Sequence, residues 1–415
     1  MSLIGGSNRK VQKQLWLRQV KMSKLFDHSS TSISLNKEEV LKYNEAHEKY
    51  FLNFANREYE KNKPFGNPNE CSDILYRMGM LLSGAKIGRS QKIGELGCGG
   101  GWLSNYISKL GNEMHLMDVS NEAINISKEL FAKSDRNKHH IFFHTLKDDV
   151  IKLPDNYLDR IIVHDALHHI PNPQNILKEC YRVLKNGGIV GLSECGPVHS
   201  KIGAIIECRE KTGILERDIT LNDLEVLAEK SGFSEVKIKP YLSVNQKEIE
   251  LSKFKKLVSN DLQIIDNSEI LDSFSRGDQT IAFFYKGNFT FDTTYPNKPE
   301  AEILLIDKKI DKDRVIIELQ ITNTGDTIFL TKRNELGAFC KLGCHLNELD
   351  GRNIVFDFLH QDLTNFDDIK PNEKINIKLN LETEKVKNKI LEFDLIIEGV
   401  CWLSYMGSKT LQLKM

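Results

Sequence analysis

The chain has 415 residues, 40 % of them hydrophobic, and a formal net charge of −1. That length allows two or three domains, each large enough for its own core. The balanced charge excludes an overall basic field for nucleic acid, and no apolar run reaches the roughly 18 residues of a helical membrane span. The eight cysteines are scattered, with no Cys-x-x-Cys pair. Cys340 and Cys344 lie four apart with no His or Cys cluster to complete a zinc site, so no metal is expected there. Reduced thiols and a cytoplasmic location follow.

Residues 9–26 carry Arg9, Lys10, Lys13, Arg18, Lys21 and Lys24 among Val11, Leu15, Trp16, Leu17 and Val20. The pattern suits a basic amphipathic helix in peripheral contact with an anionic membrane, or, as the favoured reading, a helix packed on its own domain or a dimer partner. From Asn36 to Leu82 the spacing is helical, broken at Lys63–Pro68, so residues 1–82 are predicted as a helical segment or lid. Strands and helices then alternate over residues 83–290. The strands are Lys92–Leu96, Glu113–Asp118, His140–Thr145, Arg160–His164, Ile189–Ser193, Val236–Tyr241 and Thr280–Tyr285. Helices are expected from Trp102, from Asn121 with Ser120 as cap, from Pro173 to Leu184, and from Thr220 to Gly232, where Thr220 and Asp223 form a capping box. This order predicts an α/β fold with a mainly parallel, doubly wound sheet of seven strands. Thr293–Pro299 reads as a linker. Beyond it, alternating runs at Val315–Thr322, Phe339–Leu346, Asn353–Phe358, Ile375–Leu381, Leu391–Glu398 and Thr410–Lys414 predict an antiparallel β-sandwich over residues 299–415.

The first strand runs into Glu95-Leu-Gly97-Cys98-Gly99-Gly-Gly101. Glycines allow a backbone to approach a ligand where a Cβ would clash, and the following helix offers unpaired N–H groups. Asp118 ends the second strand, where a carboxylate can grip two ribose hydroxyls. A dinucleotide fingerprint would need a glycine at position 102, which is Trp102. No phosphate-loop Gly-Lys-Ser/Thr is present. Glu95 would repel a pyrophosphate and suits a cationic ligand.

The Glu95-x-Gly97-x-Gly99-x-Gly101 pattern resembles the first motif of class I S-adenosylmethionine-dependent methyltransferases. Leu153-Pro154 with Tyr157–Ile161, the segment His164–Ile170, and Tyr181–Gly188 resemble later regions of the same family. The resemblance implies a Rossmann-like core and S-adenosylmethionine as cofactor. It implies that the cofactor is held by Glu95, Gly97, Cys98, Gly99, Gly101, Asp118, Val119 and His164, with Asp149, or its neighbour Asp148, on the adenine amino group. Methyl transfer from a sulfonium needs an aligned nucleophile and, for an alcohol, a base. His168 and His199 follow strands four and five at the ligand-bearing end of the sheet and are the candidate bases. Glu194 joins them as a candidate catalytic residue, with a divalent cation shared by Glu194 and His199 as a lesser alternative.

Ser193–Ser200 followed by Gly213–Ile219 resembles a bacterial subgroup, with Cys195 in place of its proline. Leu342–Leu346, Asp350-Gly351, Ile369–Glu373 and Phe393–Leu403 resemble a sandwich module fused to bacterial enzymes of cell-surface polysaccharide synthesis. That module is similar to the carbohydrate-binding domain of O-antigen ABC exporters. In it Trp402 and His345 would stack on or bond to sugar, or lie in the core. The resemblance therefore implies O-methylation of a carbohydrate, glycolipid or nucleotide-sugar acceptor. A small lipid or quinone-like acceptor, and a non-catalytic scaffold that binds the cofactor, are the alternatives. The sequence carries no signal for oligomeric state.

Overall fold

The computed structural model describes residues 35–133, 140–241, 251, 279–332 and 337–415. The basic segment 9–26 lies outside the described residues. The chain divides into two compact units, one ending at Phe289 and the other beginning at Thr290.

The first unit opens with three helices, α1 (Lys37–Leu52), α2 (Phe54–Asn62) and α3 (Pro68–Gly84). Asn36 caps α1 through a capping box with Glu39, and Asn67 caps α3 ahead of Pro68. The rest is a Rossmann-like α/β core. Its strands are β1 (Lys92–Leu96), β2 (Glu113–Asp118), β3 (Ile141–Thr145), β4 (Leu158–His164), β5 (Leu184–Cys195), β6 (Glu235–Lys239) and β7 (Gln279–Tyr285). They form one sheet in the order β3-β2-β1-β4-β5-β7-β6. The neighbours from β3 to β5 are parallel, and β7 runs antiparallel between β5 and β6.

A parallel sheet covered on both faces needs strands that are apolar on both sides. Ile161, Ile162 and Val163 of β4 are all fully buried. The chain leaves β1 towards β2 on one side, and β4 lies on its other side. The crevice outside the carboxyl ends of β1 and β4 is thus where the winding direction reverses and ligands collect.

The fifth strand differs from its expected bounds. It begins at Leu184, directly after the helix Pro173–Val183, and reaches Cys195. Gly187 takes φ +78° and donates to the carbonyl of Lys286 at 2.7 Å. The glycine pair therefore bends the strand without ending it. The bend coincides with a register shift between Leu158 and Arg160 of the neighbouring strand.

The second unit contains two antiparallel sheets. One has the order β12-β9-β8 and the other β11-β10-β13-β14, with β15 on β13. Their strands are β8 (Ala301–Ile310), β9 (Arg314–Asn323), β10 (Cys340–Asn347), β11 (Asn353–Asp362), β12 (Lys374–Glu382), β13 (Ile390–Ile397), β14 (Cys401–Trp402) and β15 (Leu411–Lys414). Ile317, Leu319 and Ile321 from the first sheet share one core with Leu342, Phe393 and Leu395 from the second.

β8 escaped the sequence reading because it does not alternate. Leu304, Leu305 and Ile306 are consecutive, and a register shift between Leu305 and Asp307 marks the irregularity that breaks the period. Thr293–Pro299, expected as a linker, belongs to this unit. Thr293 is fully buried and donates to the Ile328 carbonyl at 3.0 Å, and Lys298 donates to Asp326 at 2.9 Å. Trp402 is buried against His345, Phe356 and His360, and its ring lies where a Cβ on Gly343 would fall. His345 is buried too and donates to the Phe356 carbonyl. Neither ring presents a face for stacking on sugar. Among the described residues no helix is long and apolar enough to cross a membrane.

Candidate active site

The turn after β1 is shaped by glycine. Gly97 has φ +69°, and a Cβ there would stand 2.4 Å from the Ala166 Cβ. Gly101 has φ +76° and faces Ser127 Oγ at 2.7 Å from the same virtual atom. An L side chain at either position is excluded by conformation and by space. Asp118 Oδ2 accepts the Gly99 N–H at 3.0 Å, and Oδ1 accepts the Ser120 N–H at 2.9 Å. Its carboxylate is thereby fixed at the tip of β2.

Glu95 is buried, and Oε2 accepts the Ser104 N–H at 3.0 Å as well as the Ser104 hydroxyl. Burial, aided by the nearby Asp118 and opposed by the Ser104 bonds, pushes its pKa up to about 8. Glu95 is therefore largely protonated at neutral pH until a cation arrives. His164 stands edge-on to Trp102 with Nδ1 3.3 Å from Asp165. Burial brings its pKa down to about 4, and its Nε2 is a buried polar atom with no hydrogen-bond partner. Cys98, Val119 and Asp149 line the same cavity, whose volume is about 610 Å³, within the usual size range for a small-molecule site. Asp149 lines it and Asp148 does not, although both take φ near +56°. The glycine cradle, the fixed Asp118 carboxylate, the unpartnered His164 nitrogen and a buried acid all fit a nucleoside with a cationic tail.

The far side of the cavity is a cluster of imidazoles and carboxylates assembled from segments distant in sequence. His168 and His169 follow β4, His199 follows β5, and Glu216 lies in the loop before the helix Leu221–Ser231. His168 Nδ1 is 2.8 Å from Glu194 Oε2. Glu194 is fully buried and also accepts the N–H groups of Ala166 and Leu167 at 3.0 and 2.8 Å. Glu216 Oε2 is 2.8 Å from His199 Nε2 and 3.6 Å from His168 Nε2. Burial works against charge on His168, but Cys195 and Glu194 outweigh it and hold its pKa well above the usual value. The carboxylate is the partner that matters, because burial keeps the Cys195 thiol protonated. His169 goes the other way. Burial, then the neighbouring His168 and His47, push it well below 6.5 while its Nδ1 donates to the Leu215 carbonyl at 2.7 Å.

The N-terminal helices complete the walls. Arg77 of α3 is buried between Asp165, at 2.7 Å, and Asp73, at 2.8 Å. Two carboxylates and Ser193 Oγ at 3.2 Å satisfy the guanidinium. Asp165 takes φ +50° to reach it. His47 of α1 lies 3.6 Å from Asp118 Oδ1, and Glu48 accepts the Ser120 hydroxyl at 2.5 Å.

The expected residues thus separate into two sets. Glu95, Gly97, Cys98, Gly99, Asp118, Val119, Asp149, His164, His168 and His199 line one cavity. Gly101 shapes its turn from behind. Glu194 is behind too: its oxygens are spent on His168 and two backbone N–H groups, so it positions His168 and does not pair with His199. Among the described residues, Glu194 and His199 do not share a cluster with metal-ligand spacing. His168, one of the two expected bases, is engaged by Glu194 through Nδ1 and keeps Nε2 towards Glu216. Glu216, His169, Arg77, Asp165 and His47 were not singled out. The His168-His169 pair and the Gly213–Ile219 segment were the available signals for the first two.

Residues 94–192 match the family model described as methyltransferase domain. This chain carries a class I methyltransferase domain. Its cofactor is S-adenosylmethionine. The ubiquinone biosynthesis O-methyltransferase of Burkholderia vietnamiensis is 26% identical over 145 residues, which cover 34% of this chain and 60% of that one. The same-named protein of Klebsiella pneumoniae is 30% identical over 127 residues, covering 31% and 49%. The chain thus spans half to three-fifths of the length of these curated relatives. Among solved structures, an S-adenosylmethionine dependent methyltransferase from Mesorhizobium loti aligns with a TM-score of 0.37 and 15% identity, over 52% of this chain and 96% of that one.

Proposed function

We propose that the protein methylates a hydroxyl group of a small lipid or quinone-like acceptor, using S-adenosylmethionine. The observation that carries the reading is the imidazole–carboxylate cluster opening on the same cavity as the glycine turn. Bound S-adenosylmethionine supplies an electrophilic methyl group. The chain's own residues do the rest. Asp118 would clamp the ribose, Asp149 would face the adenine, and Glu95 would ionise against the cationic tail. His168, held charged by Glu194, keeps the wall positive. His169 donates its Nδ1 proton to Leu215, which assigns Nε2 as the accepting nitrogen. We assign His169 as the group that takes the acceptor's hydroxyl proton. The name shared by the curated relatives, ubiquinone biosynthesis O-methyltransferase, supports a quinone-like acceptor, as do the apolar and aromatic walls from Phe51, Trp102, Ile205 and Ile214.

A sugar hydroxyl is the second reading. The opposing polar wall of Arg77, Asp73 and Asp165 favours it, since such groups suit a polyhydroxylated ligand. In that case the two sheets with a common core are the expected sandwich of a surface-polysaccharide enzyme. The test is transfer of labelled methyl to phenolic quinone precursors and, in parallel, to a polysaccharide extract. Turnover is expected on the phenols. His169→Ala should lower the rate by about 10²-fold or more without altering S-adenosylhomocysteine binding. Turnover confined to the extract would exchange the two readings, and no turnover on either would leave a cofactor-binding scaffold.

A further inference from the structure

We propose that His168 Nε2, His199 Nε2 and the Glu216 carboxylate bind a zinc ion, with an open position facing the cavity for the acceptor's oxygen. The second half of this statement rests on the hydroxyl-acceptor reading, while the binding site itself does not. Two overlapping triads with ligand atoms within 4.8 Å of one another meet at His168: one with Cys195 and His199, the other with His169 and Glu216. Two of the five side chains are otherwise engaged. The Cys195 thiol faces the Arg217 carbonyl at 3.5 Å, and His169 Nδ1 is bonded to Leu215. Three donors remain, and they are of the kinds zinc takes in sites that keep one place open.

The spacing fits. Ligand atoms about 2.0–2.1 Å from a tetrahedral ion lie roughly 3.3 Å apart. Glu216 Oε2 stands 2.8 Å from His199 Nε2 and 3.6 Å from His168 Nε2, so small movements reach the required geometry. The outer support is already built. A metal-bound imidazole usually gives its other nitrogen to a carboxylate, and His168 Nδ1 does so to Glu194, which is locked by two backbone N–H groups. An oxygen ligand at the open position becomes more acidic, as metal-bound water does. That suits proton loss from a hydroxyl towards His169.

The experiment is a zinc titration of the full-length protein, stripped with a chelator, against a competing chromophoric chelator. One zinc per chain is expected, with a visible tetrahedral ligand-field spectrum when Co²⁺ replaces it. His199→Ala and Glu216→Gln should abolish stoichiometric binding. Glu194→Gln should weaken it by about 10–100-fold. All three variants should keep S-adenosylhomocysteine binding, which reports an intact fold. Failure of the wild type to take up zinc, an octahedral cobalt spectrum, or undiminished uptake by His199→Ala and Glu216→Gln would overturn the proposal. Intact zinc binding without methyl transfer would strike the acceptor reading alone.

Discussion

The two units bury polar groups in opposite ways. In the second unit the buried side chains of Asn323 and Asp394 find their partners close by. Asn323 donates to the carbonyls of Thr327 and Ile369 at 2.8 and 2.9 Å. Asp394 accepts the N–H groups of Leu395 and Ser404 at 2.7 and 3.1 Å. Such groups tie turns to strands and have nothing left to offer a ligand. In the first unit, three buried groups on the open cavity are only partly satisfied. Glu95 is a raised acid, His164 has an unpartnered nitrogen, and Glu216 is shared among imidazoles. Buried polar groups that are satisfied rigidify, and those left short of partners point to a ligand.

Several variants would break or sharpen this contrast. Trp402→Ala should cost about 3–5 kcal/mol, the usual range for emptying a buried indole site, when unfolding of the second unit is followed in denaturant. The affinity for S-adenosylhomocysteine should not change. A large loss of affinity would show that the second unit serves the ligand site after all. Asp118→Ala should do the reverse. Loss of charged hydrogen bonds of about 1.5–3 kcal/mol lowers S-adenosylhomocysteine affinity ten- to a hundredfold by calorimetry, and an unaltered affinity would remove the ribose clamp. Asn323→Ala removes both donors, stranding the Thr327 carbonyl while the Ile369 carbonyl keeps the Phe329 N–H, and should cost about 1–3 kcal/mol of stability with ligand binding intact.

A last test is a pH dependence. The folded pKa of Glu95, about 8, lies above its ordinary value of 4.5. Its contribution to stability is therefore fully present below 4.5 and is lost as pH rises through about 8. A cationic ligand selects the ionised form, so affinity should rise with pH by about tenfold per unit up to about 8 and then level off. Glu95→Gln should flatten that profile, and a flat wild-type profile would refute the role.

The cofactor side was legible because its determinants are local. Glu95 to Gly101 and Asp118 lie on one strand-turn-helix-strand segment, where spacing alone places them. The acceptor side was not, because proximity there is made by the sheet. His168, His199 and Glu216 meet only after β4 and β5 pair, and no spacing along the chain encodes that meeting. Glu194 shows the same limit. Its position next to the site is visible in sequence, but the direction of its carboxylate depends on the backbone N–H groups of residues 166 and 167. β8 was missed because an irregularity spoils the alternation by which strands are recognised.

The first helix grips the tip of the second strand: Glu48 accepts the Ser120 hydroxyl, and His47 stands 3.6 Å from Asp118. A ribose held by Asp118 would lie beside this helix, and turnover paced by release instead of chemistry would then depend on that grip. Weakening one hydrogen bond, Glu48 to Ser120, would shorten the dwell time of S-adenosylhomocysteine.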